Sequence, residues 1–305
     1  ALIHQHRPCM RSCKVNAISM DADKKAVIDN DKCVSCGACV YQCPFGAIMD
    51  KSYVLDAIDI LKKSDGNKNY KVYAIIAPSI VSQFKYAKIE QVVTGIHELG
   101  FHQVVEAALG ADITLYHEAN EWKEKGLMTT SCCPAFVNMI KQHFPQLLDN
   151  MSTTVSPMCA ISRMLKAQDP EVVTVFIGPC IAKKSETLDL NIQGNADYAM
   201  TYGEIRAMMR AKDVNLEPEE NSMQEASVFG KRFGNGGGVT AAVLECLKES
   251  GENTDIKVAR CNGAAECKKA LLLLKVGRLP EDFIEGMMCQ GGCVGGPSNL
   301  KQEMT

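Results

Sequence analysis

Short apolar runs alternate with amphipathic stretches along most of the chain. The run "YKVYAIIAP" at 70–78 is closed by proline, as expected for a buried strand, and "EVVTVFIGPC" at 171–180 repeats the pattern. The stretches "IEQVVTGIHELG" and "TAAVLECLKESG" have apolar residues at helical spacing and end at glycine. This alternation predicts an α/β body of parallel strands flanked by helices, with a ligand site at the carboxyl ends of the strands.

A change of pattern near residue 65 predicts two domains. The segment from Cys9 to about Ile48 is rich in cysteine and contains two similar phrases, "KVNAISMD" and "FGAIMD", which form a weak internal repeat. The helical pattern "SYVLDAIDILKK" follows and ends at the turn-forming "SDGNKN". We therefore expect a small domain over 1–65 and a larger one over 66–305.

Composition narrows the class of protein. The chain has 305 residues, 46% of them hydrophobic, and 33 Lys and Arg stand against 36 Asp and Glu, so no basic excess points to nucleic acid. No apolar run is long enough to span a membrane and no leader is recognisable, which favours the cytoplasm. Fifteen clustered cysteines favour metal binding or catalysis over a disulfide scaffold.

The first cysteine cluster has the spacing of a bacterial ferredoxin. Cys33, Cys36 and Cys39 are followed by Cys43 and a proline, which provides three thiolates for one cubane and a fourth for a neighbouring cluster. Four buried thiols or a zinc knuckle would need neither the third cysteine nor the Cys-Pro ending. The small domain is therefore predicted to be an α+β ferredoxin-like iron–sulfur domain.

Only half of a second ferredoxin run is present. By the same logic Cys13 would complete the cluster of the first three cysteines, while Cys9 and Cys43 would share another. Two ligands of that other cluster are missing. Either the chain begins inside the motif, or His4 or His6 substitutes for a thiolate. Without the cluster, His4 and His6 would each be interpreted as an exposed residue near a frayed terminus.

Three further cysteine segments lie in the larger domain: "TSCCPAF" at 130–136, "GPCIAKKSE" at 178–186 and "EGMMCQGGCVGGP" at 285–297. Together they provide the four thiolates that a further cubane needs, namely Cys133, Cys180, Cys289 and Cys293. The glycines around Cys293 would let the backbone approach an inorganic cofactor closely.

These segments resemble the three active-site signatures of the [FeFe], or iron-only, hydrogenases, and the similarity covers about residues 71–297. "TSCCPAF" and the "SPM" at 156–158 resemble a less-studied subgroup. The resemblance implies a two-lobed catalytic domain and an H-cluster, in which a [4Fe–4S] cubane is bridged by Cys293 to a two-iron unit with carbonyl, cyanide and azadithiolate ligands. It also implies that Cys133, Cys180 and Cys289 bind the cubane.

The resemblance assigns the neighbouring polar residues to catalysis. Lys183 would donate to a cyanide, and Cys132 would exchange protons beside the two-iron unit. A relay would lead from Cys132 through Glu118 and Ser152 to Glu121. Without the family, two glutamates three residues apart on a helix usually form a solvated face.

Other assignments from the resemblance have ordinary structural alternatives. The cofactor-binding candidates Ala77, Pro78 and Ser79 follow a strand and would also fit a simple turn. Glu186 would support Lys183 or lie in a water network, or instead pair with Lys184 at the surface. Met287 would pack over the two-iron unit, although methionines usually fill cores.

Several residues depart from the better-known enzymes or have no predicted ligand role. Met158 stands where the better-known enzymes have a glutamine, and Gly178 stands where they often have a methionine. Both changes would alter the groups that tune the cofactor. Cys159 is read as a buried structural thiol, with a redox-protective or proton role as the alternative. Packing is also predicted for three more cysteines: Cys246, Cys261 and Cys267.

The resemblance therefore implies an oxidoreductase that interconverts protons and H₂, exchanges electrons with ferredoxin through its N-terminal clusters and depends on maturation proteins for its cofactor. A sensory hydrogenase with low turnover, and a cubane-only cluster-assembly or electron-transfer protein, are the alternatives. We also expect truncation at one or both ends.

Overall fold

The computed structural model describes residues 7–214, 216 and 226–300. At its N-terminal end two one-turn helices, α1 (Pro8–Ser12) and α2 (Ala38–Gln42), pack on each other. A hairpin of strands β1 (Ile18–Met20) and β2 (Ala26–Ile28) lies between them in the chain, with Ile18 opposite Ile28. Short helices and a small antiparallel hairpin give this unit its α+β character.

The weak internal repeat corresponds to a repeated local structure. Cys13 and Cys43 each follow a one-turn helix, and each sulfur accepts a hydrogen bond from the amide four residues further on, at 3.2 Å and 3.3 Å. Asn16 and Gly46 occupy corresponding places and both have positive φ, +54° and +61°. The two cysteines therefore lie in matching turns that point amide donors at sulfur.

The body contains two separate parallel sheets. One has the order β4-β3-β6-β7, and the other the order β5-β9-β8. All neighbours within each sheet are parallel. The strands are β3 (Val72–Ile76), β4 (Gln103–Glu106), β5 (Met128–Thr129), β6 (Val173–Gly178), β7 (Tyr198–Thr201), β8 (Val258–Asn262) and β9 (Phe283–Met287).

Helices cover both sheets, which confirms the predicted α/β class with flanked parallel sheets. The longer ones are α3 (Val54–Lys63), α4 (Ile89–Glu98), α5 (Ala107–Lys125), α6 (Pro134–His143), α7 (Pro157–Gln168), α9 (Tyr202–Ala211), α11 (Gly238–Glu249) and α12 (Ala264–Lys275). Two helices of five residues complete the set, α8 (Ala182–Glu186) and α10 (Val228–Arg232). None of the helices in the described part of the chain is long and apolar enough to cross a membrane.

The two predicted strands are confirmed as neighbours at the centre of the four-stranded sheet. Ile76 of β3 is in register with Ile177 of β6, and Ala77 donates its amide to the Ile177 carbonyl at 2.9 Å. Carboxyl ends of parallel strands share one edge of a sheet, so "AP" after β3 and "GPC" after β6 meet there.

Helix α3 and a buried lysine join the cysteine-rich unit to the body. Ala57 and Ile60 of α3 pack in the core of the four-stranded sheet, although they precede residue 65; the domain boundary there stays a prediction. Lys184, 5% exposed, donates to Asp50 at 2.6 Å and Glu204 at 2.8 Å. Because these partners belong to different parts of the chain, the lysine connects the unit to the body.

Candidate active site

An apolar cavity of about 260 Å³ lies where the carboxyl ends of the two sheets face each other. Five thiols line it: Cys132, Cys133, Cys180, Cys289 and Cys293. The wall also contains Ala77, Pro78, Ser79, Met158, Phe176, Lys183, Phe233, Asn235 and Met287. The structure thus brings the three predicted cysteine segments and the turn after β3 together around one space.

Each of the four proposed cubane ligands is held by a different local feature. Cys133 occupies the position before α6, which starts with proline at its first position, where a missing amide hydrogen costs nothing. Cys180 follows β6, Cys289 follows β9, and Cys293 begins a 3₁₀ turn. Since these features end strands or start helices, the thiols are fixed by the regular structure around them.

The chemistry of this donor set fits an iron–sulfur cubane. These thiols keep some accessible surface because they form the cavity wall, yet burial raises the pKa of Cys293 to about 11 and of Cys180 to about 12. The neighbouring thiols raise the pKa of Cys180 further, so the sulfurs lie close to one another. No three cysteine, histidine or acidic residues in the described ranges converge on one ion, whereas each thiolate of a cubane binds its own iron.

A glycine-rich segment that the sequence reasoning missed closes one side of the cavity. Cys293 donates its amide to the carbonyl of Gly234 at 2.6 Å. A Cβ atom at Gly292, whose φ is +81°, would lie 2.4 Å from the same carbonyl oxygen. Phe233 and Asn235 line the wall beside it. The signal was present as "GNGGG" at 234–238, but glycine runs also mark ordinary loops.

Lys183 and Glu186 form a buried ion pair at the cavity. The Nζ atom of Lys183 donates to Oε2 of Glu186 at 2.6 Å, and the lysine is 8% exposed. Burial acts to lower the pKa of Lys183, but the charge and hydrogen bond of Glu186 outweigh it and the pKa is raised. Glu186 thus pairs with Lys183 and not with Lys184, which binds Asp50 and Glu204 instead.

Cys132 lies beside a buried carboxyl group. Burial, and then the charge of Glu118, raise the pKa of Cys132 well above its ordinary value, so the thiol stays protonated. Burial also raises the pKa of Glu118 to about 8. Within the described ranges neither oxygen of Glu118 has a hydrogen-bond partner of normal geometry. The amide of Ser131 lies close enough to lower the pKa of Glu118, but by less than burial raises it. The pair therefore holds two protons next to the cavity.

Ser152 and Glu121 form the outer half of the predicted relay. Ser152 donates its hydroxyl to Glu121 at 2.6 Å, and Lys125 lies 2.9 Å from the same carboxylate. Burial acts to raise the pKa of Glu121, but hydrogen bonds from Ser152, Thr153 and Lys125 lower it to about 2. The structure thus joins Ser152 to Glu121 directly, while no direct hydrogen bond joins Glu118 to either.

The ferredoxin-type loop packs against the Cys180 segment. A Cβ atom at Gly37, with φ +74°, would lie 2.6 Å from the side chain of Ile181. Burial, followed by the charges of the neighbouring thiols, raises the pKa of Cys36 to about 11. Those neighbours are Cys39, Cys13 and Cys33. The four predicted ligands of the first cluster therefore lie together beside the cavity wall.

The second cluster is less complete. Cys9 is buried, whereas amide hydrogen bonds after Cys43, the first from Phe45, lower the pKa of Cys43. His4 and His6 lie outside the described residues.

The remaining cysteines are packed in cores. Cys261 and Cys267 belong to one buried apolar cluster, Cys246 packs at the edge of another, and Cys159 is fully buried in α7. Met158, next to Cys159, faces the cavity. The packing interpretation of the first three agrees with these positions.

The arrangement can be compared with known proteins. The family described as "Iron only hydrogenase large subunit, C-terminal domain" matches residues 70–297. The chain belongs to the iron-only hydrogenase family. A 4Fe-4S binding domain matches residues 26–49. The predicted cofactor class, an H-cluster with further [4Fe–4S] clusters, is confirmed at the level of this family.

Relatives match over most of the chain at low identity. Iron hydrogenase 1 of Clostridium pasteurianum is 27% identical, with 90% of this chain and 65% of that protein covered. The periplasmic [Fe] hydrogenase large subunit of Nitratidesulfovibrio vulgaris is 29% identical, with 88% and 85% covered. Nuclear prelamin A recognition factor of Mus musculus is also similar, at 23% identity with 92% and 75% covered.

Solved structures share the fold. HydA(deltaEFG), an [FeFe]-hydrogenase described for stepwise H-cluster assembly, has a TM-score of 0.67 at 22% identity, with 83% of this chain and 85% of that one covered. A variant of the [FeFe]-hydrogenase HydA1 of Chlamydomonas reinhardtii has a TM-score of 0.66 at 20% identity, with the same coverage. At these identities the likeness concerns the fold of the iron-only hydrogenases alone.

Proposed function

We propose that this chain catalyses 2H⁺ + 2e⁻ ⇌ H₂ at an H-cluster in the apolar cavity. The observation that carries the proposal is the meeting of four candidate cubane thiols, the non-ligand thiol Cys132 and the ammonium of Lys183 on one cavity wall. A protein that bound only a cubane would have no use for the last two beside an apolar space.

The residues have separate tasks in this proposal. Cys133, Cys180, Cys289 and Cys293 would hold the H-cluster through its cubane. The two-iron unit of that cluster supplies the redox chemistry of hydrogen, together with carbonyl and cyanide ligands. Lys183 keeps two N–H donors beyond the one used by Glu186 and directs them to an anionic ligand.

The proton route runs outwards from Cys132. The thiol and Glu118 are protonated near neutral pH, so each can donate and be refilled. Glu121 accepts from Ser152 and forms the outer end of the route, where its low pKa means that a proton from solvent is held only briefly before it moves on. A water molecule must connect Glu118 with Ser152, since no direct hydrogen bond does.

Electrons would enter through the cysteine-rich unit. The cluster of Cys13, Cys33, Cys36 and Cys39 lies next to the cavity because the Gly37 turn packs on Ile181. Cys9 and Cys43 would contribute to an outer cluster that exchanges electrons with ferredoxin. Maturation proteins would supply the two-iron unit.

A sensory protein with low turnover is the second candidate. The observation that favours it is Met158, which places a thioether on the cavity wall where a hydrogen-bonding glutamine is expected from the resemblance. A thioether is only a weak acceptor and has no donor, so the cofactor would lose one polar contact.

The deciding experiment loads the anaerobic protein with a synthetic two-iron precursor and records its infrared spectrum while hydrogen is measured. Carbonyl and cyanide bands with hydrogen production that is lost in Cys132→Ala would support catalysis. Bands with negligible turnover would favour the sensor. Intact cubanes without such bands would refute an H-cluster and leave a cubane-only protein.

A further inference from the structure

A buried phenol lies behind the part of the cavity wall formed by the turn after β3. Tyr202 is fully buried at the first position of α9, and Thr201 and Glu204 close a capping box around that helix end. The ring packs in the core of the four-stranded sheet. Its hydroxyl end reaches the turn at Ala77 and Ser79, both of which line the cavity.

The phenol has two possible acceptors at different distances. Its oxygen lies 2.6 Å from the hydroxyl oxygen of Ser79 and 3.4 Å from the carbonyl oxygen of Ala77. The first is a normal O–H···O distance and the second is beyond the usual range. That carbonyl also already accepts the amide of Ile80 at 3.0 Å. Since a phenol is a better acid than an aliphatic hydroxyl, the arrangement in which Tyr202 donates to Ser79 is the favoured one of the two that the geometry allows.

This direction has a consequence for Ser79. A serine hydroxyl has one proton and two acceptor lone pairs, so a serine that accepts from Tyr202 keeps its own proton for another acceptor. Burial raises the pKa of Tyr202, so the phenol remains a donor over the working pH range. The serine lies on the cavity wall, where an acceptor would be a ligand of the bound cofactor.

We propose that Tyr202 is a positioning residue that holds the Ser79 hydroxyl as a hydrogen-bond donor towards an anionic diatomic ligand in the cavity. The inference rests on the proposed function, because that ligand belongs to the H-cluster. The nitrogen of a cyanide ligand is a stronger hydrogen-bond acceptor than the oxygen of a carbon monoxide ligand. A fixed donor at this wall therefore favours one arrangement of cyanide and carbonyl ligands over its reverse.

The test uses variants that change single oxygen atoms. Tyr202→Phe removes the phenolic oxygen and keeps the ring in the core, whereas Ser79→Ala removes the donor itself. Tyr198→Phe is the matched control, because Tyr198 is on the preceding strand β7 and stacks edge-on with Tyr53 away from the cavity wall. Each protein, with the double variant, is loaded with the synthetic two-iron precursor and measured by infrared spectroscopy.

We expect one cyanide band to shift in Ser79→Ala, the same band to shift in the same direction in Tyr202→Phe, and no shift in Tyr198→Phe. The double variant should match Ser79→Ala, because the tyrosine acts through the serine. A wild-type spectrum in Tyr202→Phe, or shifts that add in the double variant, would overturn the inference.

Two results are independent of how well Tyr202→Phe folds. If Ser79→Ala leaves every cyanide band in place, Ser79 is not a donor to cyanide and the inference is wrong, while the bands themselves still support the H-cluster. If the wild-type protein has intact cubanes and no bands, the proposed function has failed and the inference falls with it.

Discussion

Replacing Lys184 by methionine should loosen the junction between the cysteine-rich unit and the body. The side chain is 6% exposed, and its three N–H groups donate to Asp50 at 2.6 Å, to the carbonyl of Lys51 at 2.7 Å and to Glu204 at 2.8 Å. Methionine has a similar length but no charge. It would leave two carboxylates, 22% and 12% exposed, without their cation.

The size of the effect follows from the burial of these groups. Removing one partner from a buried ion pair costs about 3–5 kcal/mol, because the remaining charge stays buried and unpaired. At about 1.4 kcal/mol per factor of ten, local opening of the junction becomes about 100- to 4,000-fold more frequent. The amides of Tyr53 and Thr201 both donate to Glu204, at 2.8 Å and 2.7 Å, so they report this opening. Native-state hydrogen exchange of the anaerobic protein measures it directly.

The pH dependence gives the prediction a second signature. Burial acts to raise the pKa of Glu204, but hydrogen bonds, the largest from Lys184, lower it overall. Without the lysine this pKa rises, so the glutamate takes up a proton as pH falls and the buried charge disappears. The defect of Lys184→Met should therefore be large above neutral pH and smaller in acid.

An exposed ion pair provides the control for this experiment. Lys63 and Asp59 have side chains 68% and 57% exposed, so Lys63→Met should leave stability almost unchanged. Replacing Asp50 by asparagine in Lys184→Met should restore part of the protection and keeps both Glu204 oxygens for the reporter amides. Exchange at the two reporter amides that is no faster in Lys184→Met than in Lys63→Met would refute the reasoning.

Three further predictions concern the clusters and the relay. Gly37→Ala places a Cβ atom 2.6 Å from Ile181, so magnetic coupling between the two adjacent cubanes should change in electron paramagnetic resonance. In Gly46→Ala the added Cβ atom meets nothing within 4 Å, so this variant should leave the magnetic coupling unchanged. An equal change of the coupling in both variants would contradict the packing argument. Glu118→Gln should slow hydrogen production by about 10²-fold or more, and the wild-type rate should fall as pH rises through about 8, as pH–rate profiles would show. Cys289→Ala should lose about four iron atoms per chain in metal analysis, and an undiminished iron content would exclude it as a ligand.

The fold class was readable from the sequence because its signals are local. An apolar run closed by proline and helices ending at glycine need only neighbouring residues, and strands β3 and β6 and helices α4 and α11 follow those patterns. The division into two sheets was not readable. Strand β5 has only two residues, Met128 and Thr129, and exists because Phe283 and Ile284 pair with them.

The candidate site was readable to the extent that cysteine spacing shows chemistry. The three cysteine segments were found because thiols and glycines at short intervals are rare, and the structure brings them together. Tyr202 was missed because it lies 123 residues from Ser79, and no spacing connects them. Phe233 and Asn235 were missed because nothing local distinguishes a cavity wall from a loop.

Two pairs of identical neighbours, Cys132-Cys133 and Lys183-Lys184, each combine an anchored side chain with one that is available for chemistry. Of the two lysines, Lys184 donates all three of its N–H groups at the junction. Lys183 donates one N–H group to Glu186, and its other two can serve a ligand in the cavity. Of the two cysteines, Cys133 occupies the position before a helix as a candidate ligand, while Cys132 remains a protonated thiol beside Glu118. Consecutive side chains leave the backbone in different directions, so one member of each pair can be fixed without fixing the other. A rigid anchor next to a reactive group sets the position of that group and leaves it free to exchange protons or bind a ligand.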